Sequence, residues 1–327
     1  MSLARIGGTF AVAVVLSLSC GGSNTSAPPL PPPPDLHGIG GWTEFDLFAV
    51  GDGGTILHYR GAGCNNNGCW RPVTSPTTKT LRDVMGLSDT TAYAVGDGGV
   101  ILRYNGSTWS KVASPTTSNL TSLWAGKPDS WLAAGAGGVV VSYDSTGWVQ
   151  ETTPTSQDLD AVWALSSGEA YAVGKAGAVI HRKNGVWSSV PAFTTARLRG
   201  IWADKPRDWF VVGDGGEIWQ ERGSGWVPMV SPRSDNFYDV FGSDSAFVFA
   251  AGDADSVLFY DGFDWRPVAP RYADRLTAIW ATICLLPPVS GAQPTGLHCS
   301  NTYFAGRSSV VTRFTLLGSY EVMNDPR

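Results

Sequence analysis

The chain has 327 residues, of which 43% are hydrophobic and 16% charged, with 40 Gly, 21 Pro, 14 Trp and only 4 Met. So much Gly, Pro and Trp, with so few good helix formers, excludes helical bundles and coiled coils and favours an all-β chain. The formal net charge is −5 and no Lys/Arg run occurs, so the sequence predicts no nucleic-acid partner.

Residues 1–19 have the features of an export signal peptide. Arg5 supplies a single positive charge, and residues 10–18 form an apolar run that is too short to span a bilayer. The sequence around Cys20 resembles a bacterial lipoprotein signal, in which a small residue such as Ser19 precedes a Cys that is lipidated. Such signals usually carry Leu where this chain has Ser17, so cleavage as an ordinary secreted protein remains open.

Residues 20–35 are predicted to be a Cys-anchored linker. The segment is rich in Gly, Ser and Pro and has no periodic apolar pattern, which is typical of an extended tether. Gly21, rather than an acidic residue, follows Cys20. By its resemblance to lipoprotein sorting signals, this implies an outer-membrane lipoprotein that faces the periplasm or the cell surface, with a freely secreted protein as the alternative.

Residues 36–327 contain seven repeats with a period of 39 residues, starting near 36, 81, 120, 159, 198, 237 and 276. Three columns of residues share this spacing. The first consists of Trp70, Trp109, Trp148, Trp187, Trp226 and Trp265. The second consists of Met85, Trp124, Trp163, Trp202, Phe241 and Trp280, and the third of Gly96, Gly135, Gly174, Gly213 and Gly252. A fixed period of this length indicates a propeller, a solenoid or a repeat array.

The repeats have the pattern of propeller blades. The second repeat contains four short β-like segments, at 81–85, 92–95, 100–104 and 109–112, separated by Gly- and Asn-rich turns. Four strands per repeat is the signature of a propeller blade, and no 3.6-residue periodicity appears. The sequence therefore predicts an all-β fold, a seven-bladed β-propeller with four antiparallel strands per blade.

Two motifs carry a resemblance to known propellers. The A-V-G-D-G-G hairpin at 94–99 and the N-G-S-T-W turn at 105–109 resemble the blades of photosystem II stability/assembly-factor-like propellers and of bacterial neuraminidase-repeat (Asp-box) propellers. Residues 261–265 keep the core of the Asp-box, and residues 184–187 have lost one position. In that family the motif is a structural turn, so the resemblance implies a fold and not an activity.

The remaining cysteines mark two insertions. Cys64 and Cys69 bracket a short insertion in the first repeat, and Cys284 and Cys299 bracket a longer one in the last. Two pairs of this kind in an exported chain predict two disulfides. A metal site is the alternative, but CxxC spacing and a nearby His pair are lacking, so no metal is predicted.

Candidate binding residues cluster at one mouth of the predicted channel, where the second-to-third-strand hairpins and the loops between blades share a face. The hairpin column reads Asp52, Asp97, Ala136, Lys175, Asp214, Asp253 and Arg307. The second residues of the first strands read His37, Arg82, Thr121, Asp160, Arg199, Tyr238 and Thr277. Nearby loops add Arg197, Arg233, Arg271, Tyr272 and Arg275.

From these columns the predicted ligand-binding residues are Arg82, Asp160, Lys175, Arg199, Tyr238, Arg271, Arg275 and Arg307. Such a cluster suits carboxylate groups, phosphate groups or an acidic partner. The alternative is that the Asp residues only form turns and that the other residues are solvated loop charges.

No catalytic residue or cofactor is predicted. The chain lacks hydrolase, metalloprotease, P-loop and Rossmann motifs, and the F/Y-R-I-P segment expected of a sialidase. The predicted function is therefore a non-enzymatic module that binds or assembles an envelope protein or glycan at the bacterial cell envelope. The alternative is a glycan-acting hydrolase or lyase of the sialidase-like propeller type.

Overall fold

The structure, a computed structural model, describes residues 33–61, 70–127, 130–144, 146–165, 168–253, 256–268, 275–281, 284–285, 298–299, 302–307, 311–314 and 320–324. The predicted signal peptide, Cys20, the Cys64 and Cys69 insertion and Arg271 lie outside these ranges. No helix within the described ranges combines the length and the apolar character that a membrane crossing requires.

Six sheets each consist of four consecutive antiparallel strands, as predicted for propeller blades. Blades 1 to 3 contain β1 (Leu36–Thr43), β2 (Asp46–Gly51), β3 (Ile56–Arg60) and β4 (Trp70–Pro72); β5 (Leu81–Ser88), β6 (Thr91–Gly96), β7 (Ile101–Tyr104) and β8 (Trp109–Lys111); and β9 (Leu120–Lys127), β10 (Ser130–Gly135), β11 (Val140–Asp144) and β12 (Gly147–Glu151). Blades 4 to 6 contain β13 (Leu159–Ala164), β14 (Ala170–Gly174), β15 (Val179–Lys183) and β16 (Val186–Ser189); β17 (Leu198–Ala203), β18 (Trp209–Gly213), β19 (Ile218–Glu221) and β20 (Trp226–Pro228); and β21 (Phe237–Asp244), β22 (Phe247–Gly252), β23 (Val257–Tyr260) and β24 (Trp265–Val268).

The last repeat departs from this plan. Its four-stranded sheet, called here the terminal sheet, is formed by β25 (Leu276–Ala281), β28 (Thr302–Gly306), β29 (Val311–Phe314) and β30 (Tyr320–Asn324). A separate two-stranded ribbon, β26 (Cys284–Leu285) and β27 (His298–Cys299), lies between its first two strands in sequence. The prediction of a seven-bladed propeller is therefore wrong. The structure has six regular blades and one interrupted sheet, because the last insertion forms strands of its own.

The second strand of each blade ends at a residue of the Gly column. A backbone carbonyl group packs there and leaves no space for a Cβ atom. A Cβ atom at Gly96 would overlap the carbonyl oxygen of Thr80, just before β5. The next residue uses the same oxygen, since the Asp97 N–H donates to it at 2.9 Å. Five blades continue from this point into a three-residue 3-10 turn, at Asp52–Gly54, Asp97–Gly99, Ala136–Gly138, Lys175–Gly177 and Asp214–Gly216.

The first Trp column packs between neighbouring blades. Trp109 of blade 2 lies edge-on to Phe48 of blade 1, with ring centroids 5.0 Å apart at 82°. Both rings are buried in one apolar cluster with Val50 and Leu81. Apolar contact between adjacent sheets, rather than backbone bonding, therefore holds the blades side by side.

The terminal sheet closes the ring against blade 1. Thr277 Oγ1 donates to the Leu36 carbonyl oxygen at 2.8 Å, and Tyr303 Oη donates to the Glu44 carbonyl oxygen at 2.9 Å. Leu36 and Tyr303 share a buried cluster with Trp280. In the described part of the chain, no strand is exchanged between the first and last sheets, so closure depends on these side-chain contacts.

Candidate functional site

The two columns predicted at the channel mouth meet in the structure. In four blades, the second residue of the inner strand bonds to the Asp of the hairpin in the same blade. The pairs are His37–Asp52 at 2.8 Å, Arg82–Asp97 at 2.5 Å, Arg199–Asp214 at 2.5 Å and Tyr238–Asp253 at 2.9 Å. These carboxylates therefore orient side chains of the inner strands, which turn formation alone does not require.

Arg199, Tyr238 and Arg275 come together and are called here the arginine–tyrosine cluster. The guanidinium carbon of Arg199 lies 5.0 Å from the centroid of the Tyr238 ring, and that of Arg275 lies 4.8 Å from it. Arg275 Nε also donates to Asp253 Oδ1 at 2.8 Å. Two cation–π contacts and a shared carboxylate thus link blade 5, blade 6 and the start of the terminal sheet.

The charges within this cluster are balanced. Burial alone raises the pKa of Asp253, but hydrogen bonds from Tyr238 and Arg275 outweigh it and hold the pKa below its usual value. Burial, together with the hydrogen bond to Asp253, raises the pKa of the Tyr238 hydroxyl group. At neutral pH the cluster therefore presents a protonated phenol and paired guanidinium groups.

Asp160 positions Arg197, whose carbonyl oxygen accepts the Asp214 N–H at 2.9 Å. Arg197 Nε and Nη2 donate to the two carboxylate oxygens of Asp160, both at 2.6 Å. This bidentate hydrogen bond is the main cause that raises the pKa of Arg197 above its ordinary value. Asp160 is therefore a positioning residue in the structure, since both of its oxygens are engaged.

Three other predicted binding residues, Arg82, Lys175 and Arg307, lie in blade 2, in blade 4 and after the second strand of the terminal sheet. Arg82 pairs with Asp97 in blade 2. Lys175 is exposed in the hairpin of blade 4 and has no ion pair among the described residues. Arg307 follows β28, with its Nε 3.8 Å from Asp35 Oδ2. The Arg307 N–H also donates to the Arg275 carbonyl oxygen at 3.2 Å, but among the described residues no side-chain contact joins these three cations to the arginine–tyrosine cluster.

The inner strands close the channel below this mouth. Trp163 of blade 4 lies edge-on to Phe241 of blade 6, with ring centroids 5.5 Å apart at 89°, although these blades are not neighbours. The axial cavity that the inner strands enclose measures about 60 Å³. Pockets for drug-sized ligands are several times larger, so the mouth is a shallow surface and not the opening of a deep pocket.

Sequence reasoning missed two acidic residues that line this axial cavity, Asp83 and Asp239. They occupy the third position of the inner strand, where other blades have Gly38, Ala161 or Gly200. The sequence feature that could have identified them is the presence of two Asp residues in a column of otherwise small residues.

Two further predictions concern metals and cysteines. Within the described residues, no group of three or more His, Cys, Asp or Glu side chains is placed to hold a metal ion. The backbone register of the ribbon puts Cys284 opposite Cys299. The Cys284–Cys299 and Cys64–Cys69 disulfides stay predictions.

The fold and the site together define an all-β propeller of antiparallel four-stranded sheets with a polar, charge-balanced mouth. Three solved structures share this architecture. They are YCF48 bound to D1 peptide (TM-score 0.65, 17% identity, covering 87% of this chain and 94% of that one), YCF48 from Cyanidioschyzon merolae (0.63, 19%, 88% and 97%) and the WD40 β-propeller domain of Doa1 (0.65, 9%, 86% and 92%).

The match to YCF48, a photosystem II assembly factor, confirms the resemblance to assembly-factor-like propellers at the level of fold. No protein-family model and no curated protein sequence matches the chain. The Asp-box resemblance and the lipoprotein signal stay predictions.

Proposed function

We propose that this chain is a non-enzymatic propeller that binds a peptide segment of a partner protein on the arginine–tyrosine cluster. The observation that carries the proposal is the contact of the Tyr238 ring with the guanidinium groups of both Arg199 and Arg275 at the channel mouth. Tyr and Arg are the residue types that dominate binding energy at protein interfaces. The ion pairs of Arg199 with Asp214 and of Arg275 with Asp253 hold both arginines in place before a partner binds, which lowers the entropic cost of binding.

Two further observations support a protein partner. The narrow axial cavity favours recognition on the surface over capture of a small molecule inside the channel. One of the similar structures is described as YCF48 bound to D1 peptide, which is a property of that protein and gives a precedent for peptide binding on this architecture.

A peptide-display selection on the full chain tests this proposal. A random-peptide library is selected on the wild-type protein, and the dissociation constants of the recovered peptides are then measured by calorimetry. We expect Arg199→Gln, Tyr238→Ala and Arg275→Gln each to weaken binding by roughly 30-fold, corresponding to about 2 kcal/mol for an interface anchor.

Arg266→Gln is the matched control. Arg266 lies on the outermost strand of blade 6 and pairs with Asp261 at 2.8 Å, so its loss changes the same charge away from the mouth. Recovered peptides that bind equally well to the cluster variants and the wild type would contradict the proposal, as would selection of glycans in place of peptides on a glycan array.

We further propose that the propeller acts at the bacterial cell envelope as an outer-membrane lipoprotein anchored through Cys20. The support is the sequence of the signal segment and the linker that follows it. Expression of the full chain with Cys20→Ser is expected to move the protein from the detergent phase to the aqueous phase in a detergent partition assay. Wild-type protein already in the aqueous phase would contradict lipidation.

A second candidate function, a sialidase-like hydrolase, has one observation in its favour. Tyr238 Oη donates to Asp253 Oδ1 at 2.9 Å beside two arginines, and sialidases use a Tyr nucleophile. The raised pKa of Tyr238 opposes this function, because a nucleophile needs a lowered one. Turnover of an aryl sialoside that Tyr238→Phe abolishes would favour the hydrolase over the binding protein.

A further inference from the structure

Asp83 and Asp239 link neighbouring inner strands near the propeller axis. The Leu123 N–H of blade 3 donates to Asp83 Oδ2 at 2.7 Å, and the Ile279 N–H of the terminal sheet donates to Asp239 Oδ2 at 2.8 Å. The other oxygen of each carboxyl group accepts the N–H of the next residue in its own strand, at 2.8 Å in both cases. Each side chain therefore ties its own inner strand to the inner strand of the next sheet.

Ser122 shows that this link does not require a carboxyl group. It occupies the same position in blade 3, and its hydroxyl oxygen accepts the Val162 N–H of blade 4 at 3.1 Å. A neutral oxygen is thus sufficient at this position. The two aspartates add an ionisable group to a contact that a hydroxyl group can make.

Both carboxyl groups face the axial cavity, where no described side chain supplies a positive charge. The remaining lining residues from β1, β5, β9, β13, β17, β21 and β25 are uncharged. Asp83 packs between β1 and β9, which present Ile39 and Ser122, and Asp239 packs between β17 and β25, which present Ile201 and Ala278. Among the described residues, the only ionisable group that faces either aspartate from the cavity is therefore the other aspartate. Ionising both places two negative charges around one narrow space.

We propose that Asp83 and Asp239 form a proton-dependent lock on the propeller axis: the ring is most stable when both carboxyl groups are protonated and loses stability as they ionise, because the cost of two negative charges buried at one cavity exceeds the gain from stronger N–H···O bonds. The links run from blade 2 to blade 3 and from blade 6 to the terminal sheet. The lock therefore acts at two separate junctions of the ring. The second junction adjoins the arginine–tyrosine cluster, since Tyr238 precedes Asp239 in β21.

The electrostatics give the direction of this dependence. Burial raises the pKa of Asp83 to about 7. Burial, followed by the charge of Asp83, raises the pKa of Asp239 to about 8. Because both groups hold protons more tightly in the folded chain than in the unfolded chain, the stability they contribute is complete below about pH 4. It is lost as the pH rises through 7 to 8.

Urea denaturation of the full chain at constant ionic strength, at pH values from 6 to 9, tests the lock. We expect the folding equilibrium constant of the wild type to fall by at least about tenfold over this range. Asp83→Ser and Asp239→Ser, which copy the residue in blade 3, are each expected to flatten that fall. The matched control Thr121→Val removes a hydrogen bond between blades 3 and 4 that involves no ionisable group, so it should lower stability equally at every pH.

Infrared spectroscopy gives a second readout that does not depend on the stability of a variant. At pH 6 the wild type should show the C=O stretch of a protonated carboxylic acid, and Asp239→Ser should weaken it. A stability that rises from pH 6 to pH 9 would overturn the lock, since ionised carboxylates holding a cation would give that sign. The absence of the acid band at pH 6 would also overturn it.

Discussion

At the scale of single residues, the junction between blades 3 and 4 differs from the preceding junction because two facing positions, in neighbouring repeats, both carry charged residues. Glu151 of blade 3 accepts Arg182 Nε at 3.0 Å, Arg182 Nη2 at 2.9 Å and Trp187 Nε1 at 2.5 Å. The equivalent positions at the preceding junction hold Val112 and Tyr143. There the indole N–H group of Trp148 is buried, and it has no hydrogen-bond partner among the described residues.

This ion pair predicts a non-additive mutant cycle. Glu151→Val leaves Arg182 partly buried without its carboxylate and should lower the free energy of unfolding by about 3 kcal/mol. Adding Arg182→Tyr restores the Val–Tyr pair of the preceding junction and should recover most of that loss, because packed apolar residues replace a buried ion pair at little cost. Urea denaturation of the three proteins measures both values. A double variant as unstable as Glu151→Val would refute this view of the junction.

At the scale of elements, the 39-residue period predicts the strands of the regular repeats, but it predicts no strand within the insertion that interrupts the last repeat. The columns of Trp and Gly predict four strands per repeat because each column occupies one structural position, such as Gly96 against the Thr80 carbonyl group. The second aromatic column occupies the fifth position of the inner strands. The Trp163–Phe241 contact shows that it fills the channel. Distances across the axis cannot be derived from repeat spacing, since spacing fixes positions within a blade only.

The candidate site, likewise, could be predicted only in part from the sequence. Arg199, Tyr238 and Arg275 were predicted on one face because strand order places their loops together. Their pairing with Asp214 and Asp253 was not predicted, since a turn-forming Asp and an ion-pairing Asp have the same sequence pattern. The interrupted terminal sheet was missed because an insertion has no periodicity from which to infer its strands.

Ring closure yields a prediction about two equivalent threonines. Thr277 Oγ1 donates to Leu36 O at 2.8 Å across the closing junction, and Thr121 Oγ1 donates to Leu159 O at 2.6 Å between blades 3 and 4. Thr277→Val and Thr121→Val should therefore each lower the free energy of unfolding by about 1 kcal/mol. Thermal unfolding of the two variants and the wild type measures both losses in the free energy of unfolding. A Thr277→Val variant with wild-type stability beside a destabilised Thr121→Val variant would show that the ring is open.

At the scale of the whole molecule, the propeller is a closed ring with an asymmetric mouth. Its inner strands leave an axial cavity of only about 60 Å³, so the exposed loops carry whatever recognition occurs there. The arginine–tyrosine cluster is confined to one arc, formed by blade 5, blade 6 and the terminal sheet. A partner bound to this arc would contact the mouth face on one side of the axis, and the ring would serve as its rigid support.

Hydrogen exchange of the full chain, with and without a display-selected peptide, tests peptide binding at this arc most directly. We expect slower exchange at the mouth-face segments 214–217 and 235–238, which flank the cluster. Exchange at the opposite-face turns 222–225 and 261–264 should not change. Slower exchange confined to those two turns, in a complex that calorimetry shows to be saturated, would contradict the assignment of the arginine–tyrosine cluster as the binding site.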